Sequence, residues 1–385
     1  MRLPGKKNLA LLGAFCLFLS AVEYMIPKPL PFLRIGLANL PLMLAIDIFP
    51  LPSFLILVCI KIIGQAIITG TLVSYIFLFS LSGTFLSAVI MFFLRRLFKN
   101  RITYVGIGTS GAMVSSLSQL ALARVFIFGE SVRYIAPPFL AAGLITGILL
   151  GIFCEIFSRK SLWVRKQGIS ENEDEVKIET ANGQQIKARV ARTDNIFSAN
   201  ILFAASLLII PSFVFNPGTE LRAAQFLFFL FLAWVSGKKI NIFSMLIVMV
   251  CIIIFNLIIP HGRVLFSFGI FSITSGALRA GIHRAITLQG LFLLSKICIR
   301  EDLEIPGSFG KLLSESLYFF NKLMNRKVLI KGKNIITNID NMMLELSNEN
   351  AELSAIQKVK TKPAGYIVII SVVILSWLPW LSLIM

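Results

Sequence analysis

GLANLPLMLAIDIFPLPSFLILVCIKIIGQAIITGT, running from Gly36 to Thr71, is almost wholly apolar, yet it carries Asn39, Asp47, Lys61 and Gln65. Pro50 and Pro52 divide it into a short helix and a longer one, since proline ends one helix and suits the first turn of the next. Lys61 falls well inside the second helix. A cation near the centre of a bilayer costs roughly 2.5–3.5 kcal/mol on insertion scales, so its presence there marks a functional site.

The surrounding composition makes the bilayer the right frame. Of 385 residues, 56% are hydrophobic and only 15% charged, with mean hydropathy +0.83. A water-soluble domain carries about 25% charged residues. Several runs exceed the ~18 apolar residues that define a spanning helix. They lack the two-residue alternation of barrel strands, so the fold class expected is an all-α, polytopic helical membrane protein.

The net charge of +18, from 37 Lys+Arg against 19 Asp+Glu, would suggest nucleic acid in a soluble domain. Here the basic residues cluster between apolar runs, which is the positive-inside pattern, and no nucleic-acid partner is expected. Five cysteines lie in or beside spans with no CxxC spacing, and there are only two histidines. No metal site, disulfide framework or cofactor is therefore expected. The basic start before Asn8 resembles a signal peptide, but no small-x-small cleavage site follows, so a retained first helix is expected.

Taken in order, spans are expected at Asn8–Ile26, Gly36–Phe49, Ser53–Thr69, Val73–Leu94, Val105–Phe128 and Ala136–Phe157. A Pro27–Pro31 link separates the first two. Arg95, Arg96, Lys99 and Arg101, then Arg159, Lys160, Arg165 and Lys166, anchor one side. Six crossings from a cytoplasmic N-terminus return the chain to that side. Residues 159–195 form a hydrophilic linker with the acidic run Glu171–Glu175 and a hairpin turning at Asn182-Gly183.

Further spans are expected at Ile196–Phe215, Leu221–Val235, Ile240–Ile259 and Ser275–Ile299, and a last one at Ala364–Leu383 with Trp377 and Trp380 at its far interface. The total is about eleven crossings. Leu265–Thr274 is apolar but too short to cross, and reads as re-entrant or interfacial. Residues 300–363 carry two amphipathic helices, one with Leu312, Leu313, Leu317, Phe320 and Leu323, the other with Ile335, Ile336, Ile339, Met342, Met343 and Leu346. These would lie on the membrane face or dock a partner. The domain division expected is thus residues 1–158, 159–195, 196–299, 300–363 and 364–385.

Enzyme motifs are missing. There is no GxxxxGK[ST] phosphate loop, no HExxH, no GxSxG, and no paired DxxD in a span or at its rim. No catalytic residue is assigned. Intramembrane polar residues remain. Lys61 and Gln65 share a helix face, and Gly111, Ser115 and Gln119 form another stripe. Glu23, Asn39 and Asp47 stand on the first two spans. Lys61 either forms a structural ion pair with Asp47 or Glu23, or lies in a water-accessible pocket where a cation and amides hold an anionic group. The Gly/Ser stripe serves either that pocket or close helix packing. Arg279, His283 and Arg284, behind Gly276 and Gly281, form either a snorkelling interface cluster or a coupling surface.

At these residues the chain resembles a known family. Glu23 before Pro27, Ile35-Gly-Leu-Ala-Asn39, Lys61 ahead of Gly70-Thr71, Ser82-Gly83-Thr84, and Gly111-Ala112 leading to Gln119 resemble the membrane family labelled heptaprenyl diphosphate synthase component I, or Gx transporter family. The resemblance covers residues 15–158. Lys61 stands where that family has arginine, and Ser115-Ser116 where it has His-Asn. The family is similar to the six-helix substrate-binding (S) components of energy-coupling-factor transporters. Residues 196–385 resemble, more distantly, the transmembrane (T) coupling subunit of that class, without its Ala-Arg-Gly motifs.

The resemblance implies a fused S-like and T-like component in a bacterial plasma membrane. It would bind a small anionic, isoprenoid or vitamin-like substrate through Lys61, Gln65, Asn39, Gln119, Glu23 and Ser115. Arg279, His283 and Arg284 would serve the coupling interface, and separate ATPase subunits would drive it. The rival is a non-catalytic scaffold in the lipid that recruits a soluble prenyl diphosphate synthase or a flavin/quinone redox enzyme. A prenyl synthase needs two aspartate-rich clusters, which this chain lacks.

Overall fold

The structure, a computed structural model, describes residues 6–25, 36–169, 198–216, 218–238, 240–268, 271–299, 303, 305–325, 335–348 and 363–384. The Pro27–Pro31 link, the acidic run Glu171–Glu175 and the expected hairpin at Asn182-Gly183 lie outside the described residues.

The described chain is helical except for one small hairpin. In the first half α1 is Lys6–Met25, α2 Leu40–Ile48, α3 Leu51–Thr69, α4 Tyr75–Phe98, α5 Tyr104–Ala123 and α6 Val132–Lys160. A 3-10 turn, Leu37–Asn39, precedes α2, and a π-helical turn, Arg124–Phe128, extends α5. Stretches Lys6–Tyr24, Leu51–Thr69, Tyr75–Phe98 and Tyr104–Lys160 are long and apolar enough to cross a membrane. With its apolar runs, the chain is an all-helical membrane protein.

Local chemistry sets these boundaries. α2 and α3 each carry proline in the first turn, where no amide hydrogen is needed. α3 stops at Gly70, whose φ of 66° is the left-handed cap favouring glycine. Leu9 to Phe18 of α1 are all buried, so this helix is the centre of the first unit and is apolar all round. α5 and α6 approach very closely, because Gly147 and Gly151 lie against the backbone of Thr109 and Val105 with no room for a Cβ.

After the short α7, Leu162–Ile169, the second half contains α8 Ala199–Val214, α9 Thr219–Val235, α10 Ile242–Leu257, α11 Ser275–Cys298, α12 Gly307–Asn325, α13 Ile335–Asn348 and α14 Pro363–Ile384. Between α10 and α11 stands an antiparallel hairpin, β1 Val264–Phe268 and β2 Phe271–Thr274. This is the stretch too short to cross. Its phenylalanines and branched residues satisfy their backbone by pairing with each other instead.

Two contacts join the halves. α11 crosses one end of the first unit. Arg284 lies against Gly129, and the Ser295 hydroxyl accepts a hydrogen bond from the Val73 amide at 3.1 Å. These positions are about 16 Å apart along α11. Both loops belong to one end of the unit, as the Tyr75 and Phe126 rings, 4.8 Å apart, confirm. The amphipathic helices, meanwhile, pack on the first half. Ser316 of α12 sits over Gly13, beside Ile60 of α3, Leu313 sits over Gly64, and Ile339, Met342, Met343 and Leu346 of α13 join the core around α1. Asp340 of α13 accepts hydrogen bonds from the amides of Leu162 (2.9 Å) and Trp163 (3.0 Å) and from the Ser161 hydroxyl, capping α7.

Candidate functional site

All six substrate-site candidates line one cavity inside the six-helix unit: Glu23 from the end of α1, Asn39 before α2, Lys61 and Gln65 on α3, and Ser115 and Gln119 on α5. α4 and α6, which the sequence reading left out, complete it with Thr84, Met91, Gly143 and Thr146. The space open to the centres of water molecules is about 40 Å³, enough for a few waters.

Lys61 is only 3% exposed. Its ammonium donates to the Asn39 side-chain oxygen, which ties α3 to the turn before α2. Glu23, 5% exposed, accepts from the Gly36 amide at 3.1 Å. That bond and the φ of 87° at Gly36 set the direction in which the chain enters the Leu37–Asn39 turn. Cation and carboxylate therefore line the same cavity.

Across the cavity, Gln119 is 4% exposed. Its Nε2 donates to the Ser115 hydroxyl at 2.9 Å, while its Oε1 has no hydrogen-bond partner among the described residues. An orphaned buried amide oxygen costs about 1–3 kcal/mol unless something donates to it. Gly83 on α4 makes room for this pair, for a Cβ there would meet Ser115 Oγ at 2.9 Å and Gln119 Nε2 at 3.0 Å. The α5 stripe thus does both things the sequence allowed: Gly111 packs on Ser87 and Met91, and Ser115 and Gln119 face the cavity.

One expected pairing is corrected. Asp47 is not the partner of Lys61. Its carboxylate takes a bidentate fork from Arg95 at 2.8 and 2.9 Å and a bond from the Tyr104 hydroxyl at 2.6 Å. The C-terminal end of α4 brings a planar guanidinium against the last turn of α2, and arginine matches a carboxylate there better than a lysine deep in α3 could.

The basic cluster of α11 separates. Arg279 is exposed and reaches Thr219 at 3.4 Å. The His283 carbonyl accepts from Thr287. Arg284 turns inward and donates to the Asn256 side chain at 2.6 Å, and Asn256 in turn donates to the carbonyl of Ile127 in the π-helical turn. Sequence reasoning missed Asn256, and also Arg222, which is 4% exposed in α9. Arg222 donates to Thr287 at 2.6 Å and to the carbonyls of Val214 (2.8 Å) and Asn216. Its place near the start of a span gives no signal that separates it from an interfacial charge.

Among the described residues no group of three or more His, Cys, Asp or Glu side chains could hold a metal ion. What the cavity offers is recognition: a buried ammonium, a carboxylate, carboxamides and hydroxyls fixed on different helices.

Fold and cavity together define a polytopic helical membrane protein with a polar site inside a six-helix unit. Residues 12–157 match the model of the family described as Heptaprenyl diphosphate synthase component I, the one indicated by the motifs around Asn39, Lys61 and Gln119. Residues 198–301 match a Domain of unknown function (DUF8519). No curated protein and no solved structure matches the chain.

Proposed function

We propose that the first half binds a small anionic substrate in this cavity and that the whole chain is the membrane part of an energy-coupling-factor-type transporter. The observation that carries the reading is Lys61, a cation enclosed in a cavity and surrounded by amides and hydroxyls from other helices. Such a group is costly to insert and is retained where it meets a ligand. Asn39 orients the ammonium, and Gln119 and Gln65 supply directional hydrogen bonds.

The second half would transmit motion from separate ATPase subunits. Two contacts support this. α12 and α13 grip the first unit from one side, through Ser316 over Gly13 and Asp340 on α7. Arg284 and Asn256 hold the π-helical turn that extends α5, the helix that brings Ser115 and Gln119 to the cavity wall, from another. Displacing α12 relative to α11 would tilt the six-helix unit and strain α5. In this reading the N-terminus and α12–α13 face the cytoplasm of a bacterial cell.

Lys61→Met should abolish substrate binding and leave the chain inserted and folded, as read by ligand retention and thermal melting of the detergent-purified protein. Unchanged binding would end the proposal.

A second reading rests on the family's printed description, which names a component of a prenyl diphosphate synthase. Here the chain is a non-catalytic membrane subunit, and α12 and α13 recruit a soluble enzyme. Affinity purification separates the two: co-purifying ATPases favour transport, and a co-purifying prenyl synthase or flavin/quinone enzyme favours the scaffold.

A further inference from the structure

The hairpin between α10 and α11 serves neither half's interior. His261 to Ser267 are all exposed, including Val264, Leu265 and Phe266, the last at 61%. Its register pairs Phe266 with Ile273, Ser267 with Ser272 and Phe268 with Phe271, after an irregularity between Val264 and Phe266. Side chains alternate across a pleat, so Phe266 and Ile273 share one face, and Ser267 and Ser272 the other, with Val264 beside Thr274 at the base of that second face. Above its base the hairpin thus sets an apolar pair opposite a serine pair.

Its base is fixed. The His261 amide donates to Thr274 Oγ1 at 3.1 Å and the Ser275 amide to the Arg263 carbonyl at 2.8 Å. Gly262, at φ 86°, lies against Gly276, where a Cβ would meet the backbone at 3.0 Å. A two-stranded hairpin is marginal in water on its own, and one with an exposed apolar face needs an apolar neighbour. β2 packs on α10 and α11. α10 carries exposed Phe243, Leu246, Val250 and Ile254, the surface of a lipid-facing helix, and the hairpin follows in the chain beyond that helix's end.

We infer that the strands β1 and β2 form a membrane-interface anchor that lies in the headgroup layer beside the start of α11. Its Phe266–Ile273 face meets the acyl boundary, and the exposed Arg263 and His261 meet lipid phosphates. The depth follows from the backbone. Both edges of a two-stranded sheet carry unpaired amides and carbonyls, which hydrocarbon cannot satisfy but headgroups and water can. Basic side chains at that level are attracted to anionic lipid.

The test uses the full chain in nanodiscs of mixed zwitterionic and anionic lipid. The environment-sensitive dye NBD is attached at Phe266→Cys or, as the opposite-face control, at Ser267→Cys, in a cysteine-free background whose melting matches the parent. At position 266 a blue-shifted emission is expected, quenched more by nitroxides high on the acyl chain than by nitroxides near its end, and little by aqueous iodide. Position 267 should be open to iodide. Iodide quenching at both positions would overturn the inference. So would shielding of position 266 without lipid quenching, which would mean that a second copy or another protein covers the face.

Discussion

Two buried cations, one in each half, are held in opposite ways. Arg222 is clasped by Thr287 and by the carbonyls of Val214 and Asn216, beside the Phe213 ring. It ends α8, turns the chain into α9 and ties both to α11. Lys61 lines a cavity, with Asn39 at its ammonium and an orphaned amide oxygen on the facing helix. Equal burial therefore carries different meanings. A cation whose terminal nitrogens end on a hydroxyl and on backbone carbonyls holds the fold together, even with its Nε unpartnered among the described residues. A cation in a cavity lined by polar groups from other helices is, under the proposed function, prepared for a ligand.

Breaking the clasp should have the largest effect. Arg222→Met leaves the carbonyls of Val214 and Asn216 without their donor and should cost about 3 kcal/mol of stability, seen as a clear fall in melting temperature in detergent. Next comes the far wall of the cavity. Gln119→Leu removes the orphaned oxygen, so melting should hold or rise, while affinity for the substrate falls about tenfold, the worth of one hydrogen bond. A fall in melting with affinity intact would place Gln119 in the clasp category with Arg222. The smallest effect is expected at Asp47→Asn. Its fork with Arg95 is partly exposed and is worth about 1 kcal/mol or less. Because Asp47 does not pair with Lys61, substrate binding should not change.

The sequence made the cavity wall legible and left its pairings obscure, for one physical reason. Polar residues in apolar runs are costly wherever they sit, so Glu23, Asn39, Lys61, Gln65, Ser115 and Gln119 stand out without any structure. Which of them meet depends on helix packing. Asp47 looked like a partner for Lys61 because the two are near in sequence, whereas Arg95 reaches Asp47 from the end of another helix. Gly143 and Thr146 gave no signal, since small residues in a span read as packing. The stretch Leu265–Thr274 reads as too short to cross and as re-entrant or interfacial, and its apolar run hides the two-residue period that makes it part of a hairpin. The amphipathic rhythm of α12 and α13 was plain, though not that both would pack on the first half around Gly13 and Ser161.

Under the proposed function, Lys61 is kept for a ligand rather than for the fold. Native mass spectrometry of the detergent-purified chain beside its Lys61→Met variant, with melting curves of both, tests this most directly. Wild type should carry a bound small molecule that the variant lacks, and the variant should melt at the same temperature or higher, as expected when an apolar residue replaces a buried charge. The same bound mass on both proteins, or a variant that no longer folds, would contradict it.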